Sequence, residues 1–169
     1  MQDFRQLLVW KRAHAFSLNV RRVVEALPRP GYSDLKSQLT RAAQSIVDNI
    51  VEGCGAASRP GFARYLDISI KSASEVDYQL EFARDVGVIP HDVWKPIATE
   101  VIEIRKMLSA LRRSVVAAAL RDKQSRGRGI ARSSTNHETR SKRSGDGRSG
   151  DERPERPETP APNVRGPGD

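Results

Sequence analysis

The chain has 169 residues, a formal net charge of +8 and 30% charged residues, which predicts one folded domain and a polar tail. Its single cysteine excludes an intramolecular disulfide and favours a reducing compartment. No stretch approaches the run of about 18 apolar residues that a membrane helix needs, and charges interrupt the apolar runs of the N-terminus. We therefore expect a cytoplasmic protein with no signal peptide and no membrane span.

The first helix is predicted from about Phe4 to Leu27, where Pro28 and Pro30 end it. Its apolar residues recur at spacings of three and four, which is the period of one helix face. They are Val9, Ala13, Phe16, Val20, Val23 and Leu27.

The second helix is predicted from an N-cap at Ser33 to Gly53. It carries two rows at helical spacing, one apolar and one polar. The apolar row is Leu35, Leu39, Ala42, Ala43, Ile46 and Ile50. The polar row is Gln38, Arg41, Ser45, Asn49 and Glu52.

The third helix is predicted to start after the capping residue Ser58 and to stop at Gly87. Its buried row is Phe62, Leu66, Ser69, Ala73, Val76, Leu80 and Ala83. A second polar row runs beside it, made of Ser72, Glu75 and Gln79 with Ile68 among them and Arg64 below. Both polar rows therefore border a full apolar seam.

The fourth helix is predicted from a cap at Asp92, with a heptad seam of Ile97, Val101, Ile104, Leu108, Leu111 and Val115. We expect it to fray over residues 117–120. No window alternates with the period of a strand. The fold class is therefore all-α: an antiparallel up-down four-helix bundle over residues 1–120. Residues 121–169, rich in Arg, Gly, Ser and Pro, are predicted to be a disordered tail.

Two interpretations of the polar rows stay open. The rows either face water or pair across helices or subunits, since Ser, Asn and Gln are not the Lys/Glu mixture of an ordinary exposed face. In the second case Arg41 or Arg64 with Glu52 or Glu75 would be the charged members. Such groups would set register and oligomer state more than they add stability.

The basic residues form three clusters that are nucleic-acid candidates. They are Lys11, Arg12, Arg21 and Arg22; Arg105, Lys106, Arg112 and Arg113; and Arg121, Lys123, Arg126 and Arg128. One interpretation is a solvated outer face with cations near a helix C-terminus. The other is a track for a phosphate backbone, extended by a flexible Arg/Gly/Ser arm.

Catalytic chemistry is not indicated by the sequence. No Glu-x-x-His pair precedes His14, His91 or His137, so a di-iron bundle is excluded. Cys54 lies between two glycines at a helix end, where we expect an unreactive linker cysteine. We predict no catalytic residue, no cofactor and no metal ligand, so the protein is not expected to be an enzyme.

The chain resembles a bacterial four-helix-bundle family that includes proteins encoded in intervening sequences of 23S ribosomal RNA genes. The matching residues are Leu8-Val9-Trp10, Ala13, Gln38, Arg41-Ala42-Ala43, Ser45-Ile46, Asn49-Ile50, Glu52-Gly53, Ser58, Phe62, Arg64-Tyr65-Leu66, Ser72, Glu75, Gln79-Leu80 and Gly87. Val47, Val51 and Lys71 depart from the proline, alanine and glycine that are common there. The resemblance covers roughly residues 4–115.

The resemblance implies a non-enzymatic bundle that assembles as a homopentamer. A related member, the accessory protein of diversity-generating retroelements, binds nucleic acid and partners a reverse transcriptase. The sequence therefore predicts an oligomeric protein that binds nucleic acid or a ribonucleoprotein partner through its basic faces and tail. The alternative is a protein–protein scaffold without a nucleic-acid role.

Overall fold

The structure, a computed structural model, describes residues 2–27 and 31–141, with side chains through residue 125. Its elements are a short 3₁₀ turn at Phe4–Gln6 and four helices: α1 (Leu8–Ala26), α2 (Ser33–Gly55), α3 (Arg59–Asp85) and α4 (His91–Ser141). No strand occurs within these described ranges. The all-α, four-helix prediction is confirmed.

The first predicted helix is split in the structure. Asp3 caps the 3₁₀ turn by accepting a bond from the amide of Arg5 at 3.0 Å. Leu7 then adopts an extended conformation (φ −76°, ψ 118°), so α1 begins only at Leu8. The amide of Gln2 donates to the carbonyl of Cys54 at 3.3 Å, which fixes this segment to the end of α2.

The other helix ends follow the predicted capping chemistry in part. Ser58 caps α3 as predicted, because its Oγ accepts from the amide of Gly61 at 3.2 Å. Gly87 has a positive φ of 73°, which favours glycine and ends α3. Ser33 is not an N-cap: it is the first residue of α2, and Tyr32 precedes it without a side-chain cap bond.

The core is built from one face of each helix. All the predicted apolar residues of α2 and all the predicted buried residues of α3 are buried, as are Phe16 and Val20 of α1. Val24 rather than Val23 is buried near the end of α1, and Leu111 and Val115 are only half-buried at the end of the α4 seam. Helices α2 and α3 run antiparallel, since Gln38 meets Gln79 while Ser45 meets Ser72.

Gly53 allows α2 and α3 to approach each other closely. A Cβ added at this residue would lie 2.7 Å from Cδ2 of Phe62 and 3.0 Å from Cβ of Tyr65. A side chain there would therefore push the first turn of α3 away. Gly55, two residues later, has nothing within 4 Å of an added Cβ.

The fourth helix is longer than the sequence predicts. The tail was expected to begin at residue 121, yet α4 continues as a helix to Ser141. Extending a formed helix is easier than starting one, and residues 117–124 are mostly good helix formers. The compact unit that contains the bundle ends at Arg128, so residues 129–141 are described only as helix. The rest of the predicted tail lies outside the described residues.

Candidate functional site

A polar seam of five side chains lies between α2 and α3. It consists of Gln38, Ser45 and Asn49 on α2, and of Ser72 and Gln79 on α3. The two Ser45 and Ser72 hydroxyls lie 2.9 Å apart, and Nε2 of Gln79 donates to Oε1 of Gln38 at 2.6 Å. Nδ2 of Asn49 donates to the Ser45 carbonyl at 2.8 Å. The two predicted polar rows therefore meet along one junction.

A further serine bond lies deeper in the same junction. Ser69 is fully buried, and its Oγ donates to the carbonyl of Ile46 at 2.9 Å. The sequence placed Ser69 in the apolar row, where its hydroxyl would have lacked a partner. The bond to α2 satisfies that hydroxyl, so a polar residue is tolerated at a core position.

Four charged residues border the polar seam, and we call them the rim charges: Arg41, Glu52, Arg64 and Glu75. All four are exposed, and no ion pair joins the arginines to the glutamates within this described part of the bundle. The register set by the seam places Arg41 level with Glu75 and Glu52 level with Arg64. Arg41 and Glu75 thus lie between the two inter-helix bonds, and Glu52 and Arg64 lie beyond Asn49, so each of these two levels carries one positive and one negative exposed group.

An exposed apolar row on α3 continues beside the rim charges. Ile68, Tyr78, Phe82 and Val86 are 37%, 64%, 44% and 41% exposed. Ile68, Tyr78 and Phe82 share the outer face of α3 with Arg64, Lys71 and Glu75, because the spacings are again three and four. Sequence reasoning did not select Tyr78, Phe82 and Val86, although this periodicity was available as a signal.

The α4 cations divide into two groups that the sequence did not separate. Arg105 faces α3, where its Nη1 lies 3.1 Å from Oδ2 of Asp77, and Arg112 forms an ion pair with Asp67. Lys106, Arg113 and Arg121 face outward, and all three are exposed. Only Lys106 of these three contacts a carboxylate in the described side chains, that of Glu103 at 2.8 Å.

The remaining nucleic-acid candidates, Lys123, Arg126 and Arg128, lie near the end of α4 and are not part of either group. Lys123 is exposed and lines a hollow of about 540 Å³ with Ser58 and Arg59. Asp122, beside it, pairs with Arg59 at 2.9 Å. Arg126 and Arg128 lie in the helix, but their side chains fall outside the described ones.

The α1 cations form a separate, more scattered group. Lys11, Arg12, Arg21 and Arg22 are all exposed, and Arg21 pairs with Glu25 at 3.1 Å. Nη1 of Arg12 lies 3.7 Å from Sδ of Met107 on α4. The Lys106 ammonium, with a smaller contribution from Arg12, holds the pKa of Glu103 below its usual value. The exposed side chains Leu8 and Leu18 interrupt this surface.

Cys54 differs from the predicted linker cysteine. It is buried inside the last turn of α2, and burial, followed by the Asp3 carboxylate, raises the pKa of its thiol. Within the described ranges, no three His, Cys, Asp or Glu side chains are grouped as metal ligands. In the same ranges, no helix has both the length and the apolarity needed to cross a membrane.

Comparisons with known proteins agree with this architecture. Residues 5–110 match the family described as 23S rRNA-intervening sequence protein. A solved crystal structure from Bacteroides thetaiotaomicron, described as a protein with unknown function from the S23 ribosomal protein family, superimposes with a TM-score of 0.59 at 26% identity. The match covers 62% of this chain and 98% of that one. No curated protein matches. The chain belongs to the 23S rRNA-intervening sequence protein family.

Proposed function

We propose that this protein is a non-enzymatic, cytoplasmic RNA-binding protein that works as an assembly of several copies. The observation that carries the proposal is the separation of surface chemistry within one bundle. The outer side of α4 exposes Lys106, Arg113 and Arg121, whereas the outer side of α2 and α3 combines charges of both signs with apolar side chains. The first surface suits a polyanion, and the second suits another protein surface.

RNA is favoured as the polyanion by the family, whose description refers to sequences within 23S rRNA. The exposed cations on α4 are flanked by small residues and not by aromatic ones. Base stacking needs aromatic side chains, whereas phosphate contacts need only positive charge. We therefore expect binding that depends on salt and little on base sequence.

Self-assembly is supported by the surface around the polar seam. Arg41 and Glu75 lie level with each other, as do Glu52 and Arg64, and among the described side chains no ion pair joins these arginines to these glutamates. A second copy offers the same four charges, so opposite signs can meet across the interface. Tyr78 and Phe82 add exposed aromatic area of the kind that protein interfaces use. The family resemblance gives five as the expected number of copies.

The two parts of the proposal are tested on the full chain. Binding of a fluorescein-labelled single-stranded RNA, followed by anisotropy at low salt, should be tight and should weaken steeply as salt rises. Absence of any binding at low salt would refute the RNA role. Light scattering should give several times the mass of one chain, and a mass of one chain would refute the assembly.

A protein–protein scaffold is the second candidate, and the exposed apolar row of α3 favours it. In that case Tyr78 and Phe82 would contact a different protein, which a pull-down after nuclease treatment would recover. A reverse transcriptase is the partner expected from the retroelement relative, and a reverse-transcriptase gene next to this one would support it. Recovery of no partner after nuclease treatment would leave RNA binding as the better explanation.

A further inference from the structure

The outer side of α4 carries three cations, Lys106, Arg113 and Arg121, with Ala110 and Ala117 between them. We call these five residues the α4 ridge. All five residues are exposed, and their spacings of four, three, four and four place them on one helix face. The rise of an α-helix separates Lys106 from Arg113 by about 10 Å and Arg113 from Arg121 by about 12 Å. Ala110 and Ala117 have short side chains, so the backbone of a nucleic acid can approach the helix closely between the cations.

A hollow lies along the first half of the ridge. It encloses about 270 Å³ and is lined by Ile70, Arg105, Lys106, Ser109 and Arg113. Arg105 is held in place by Asp77 at 3.1 Å and by Oγ of Ser74 at 3.4 Å, so its guanidinium forms a fixed wall. Lys106 and Arg113 therefore face one opening of a size that accepts a phosphate group, beside Arg105, whose charge Asp77 already offsets.

The acidic groups near the ridge do not cancel its charge. Glu103 accepts a bond from Lys106, but this is an exposed pair three residues apart, and such pairs contribute little. Lys106 can therefore turn to a phosphate at small cost. Asp122, near Arg121, already pairs with Arg59 at 2.9 Å. Arg113 has no carboxylate partner among the described side chains.

We propose that the α4 ridge, with the hollow beside Arg113, is the phosphate-backbone contact of the RNA that this protein binds. The proposal rests on the proposed function and assigns RNA contact to the outward cations of α4, two from the second basic cluster and one, Arg121, from the third. Lys106 supplies a point charge, and the guanidinium groups of Arg113 and Arg121 donate paired bonds to phosphate oxygens. The α1 cations and Arg112 contribute only a general positive field.

The test compares two triple variants that lose the same charge. The ridge variant is K106Q/R113Q/R121Q, and the control variant is K11Q/R12Q/R22Q, whose residues lie on α1, are exposed and form no ion pair within the described residues. Affinity for a labelled single-stranded RNA is measured by anisotropy across a range of salt concentrations. Circular dichroism and thermal melting check that both variants are folded.

We expect the ridge variant to lose affinity roughly 100-fold at about 0.1 M salt, with the slope of log K against log salt reduced by about 2. The control variant should change affinity only a few-fold. Equal losses in the two variants, or no loss in the ridge variant, would overturn the α4 ridge while leaving RNA binding intact. If the wild-type chain binds no RNA, both proposals fail.

Two further measurements complete the test. If the ridge variant fails to fold, the single substitution R113Q is compared with R22Q, and a slope change of about 0.7 is expected for R113Q alone. DNA of the same sequence is titrated in parallel. Equal losses for RNA and DNA support contact with phosphates, whereas a loss confined to RNA contradicts it.

Discussion

Helix α3 forms two junctions of opposite chemistry. Its junction with α2 is held by uncharged bonds, those of Ser72 to Ser45 and of Gln79 to Gln38. Its junction with α4 is held by ion pairs, those of Asp77 to Arg105 and of Asp67 to Arg112. Uncharged bonds depend little on salt, whereas these half-buried ion pairs weaken in part as salt rises. The α4 cations that face α3 therefore have carboxylate partners on α3, and the outward cations are the ones proposed above to contact RNA.

The largest expected effect concerns the closest approach in the α2–α3 junction. Substitution G53A should lower the free energy of unfolding by about 1–2 kcal/mol, because overpacking against Phe62 exceeds the gain of about 0.5–1 kcal/mol from Ala in a helix. The matched control G55A should leave stability unchanged or raise it. Urea unfolding measures both, and a larger loss for G55A would contradict this packing.

The next effect concerns the buried serine of the same junction. S69A should cost about 0.5–1.5 kcal/mol, because it removes a buried bond to the Ile46 carbonyl. The control S125A removes an exposed hydroxyl that bonds within α4, to the carbonyl of Asp122, and should stay within about 0.5 kcal/mol of wild type. Equal costs in urea unfolding would mean that the bond between the helices does not matter.

A smaller effect separates the two junctions by their response to salt. A double-mutant cycle on Asp77 and Arg105 should give a coupling of about 0.2–1 kcal/mol that falls as salt rises. The corresponding cycle on Ser45 and Ser72 should give a coupling that salt leaves unchanged. The same salt response in both cycles would remove the distinction between the junctions.

The smallest effect concerns pH on the α4 side. The Lys106 ammonium lowers the pKa of Glu103, so this pair stabilises the fold above the carboxyl's unfolded pKa and stops doing so as pH falls through the folded pKa. In K106Q this part of the acid dependence should flatten. Carboxyl titration by NMR measures it, and an unchanged Glu103 pKa in K106Q would contradict the assigned cause.

Periodicity and capping predicted much of the fold from the sequence. The buried rows of α2 and α3 and the Ser58 cap depend on local spacing, which one helix specifies by itself. The break at Leu7 and the burial of Val24 in place of Val23 depend on how α1 meets its neighbours, which local spacing does not contain. Helix α4 continues past residue 120 because extending a formed helix is easier than starting one, and the composition of a segment does not contain that effect.

The candidate surfaces were predicted less completely, because they too depend on contacts between helices. The sequence selected every member of the polar seam but left open whether the groups pair or face water. It treated Arg105 and Arg112 as equivalent to Lys106 and Arg113, because their partners Asp77 and Asp67 lie on another helix. Predicting an ion pair between two helices requires knowing the register of one helix against the other. A single sequence does not contain that register.

The central claim is that RNA binding and self-assembly belong to different faces of the bundle. Sedimentation velocity of the ridge variant K106Q/R113Q/R121Q mixed with labelled RNA tests it most directly. We predict that the variant sediments as the same multi-chain assembly as wild type while the RNA stays free. RNA that still sediments with the variant, or an assembly that dissociates together with RNA binding, would contradict the claim.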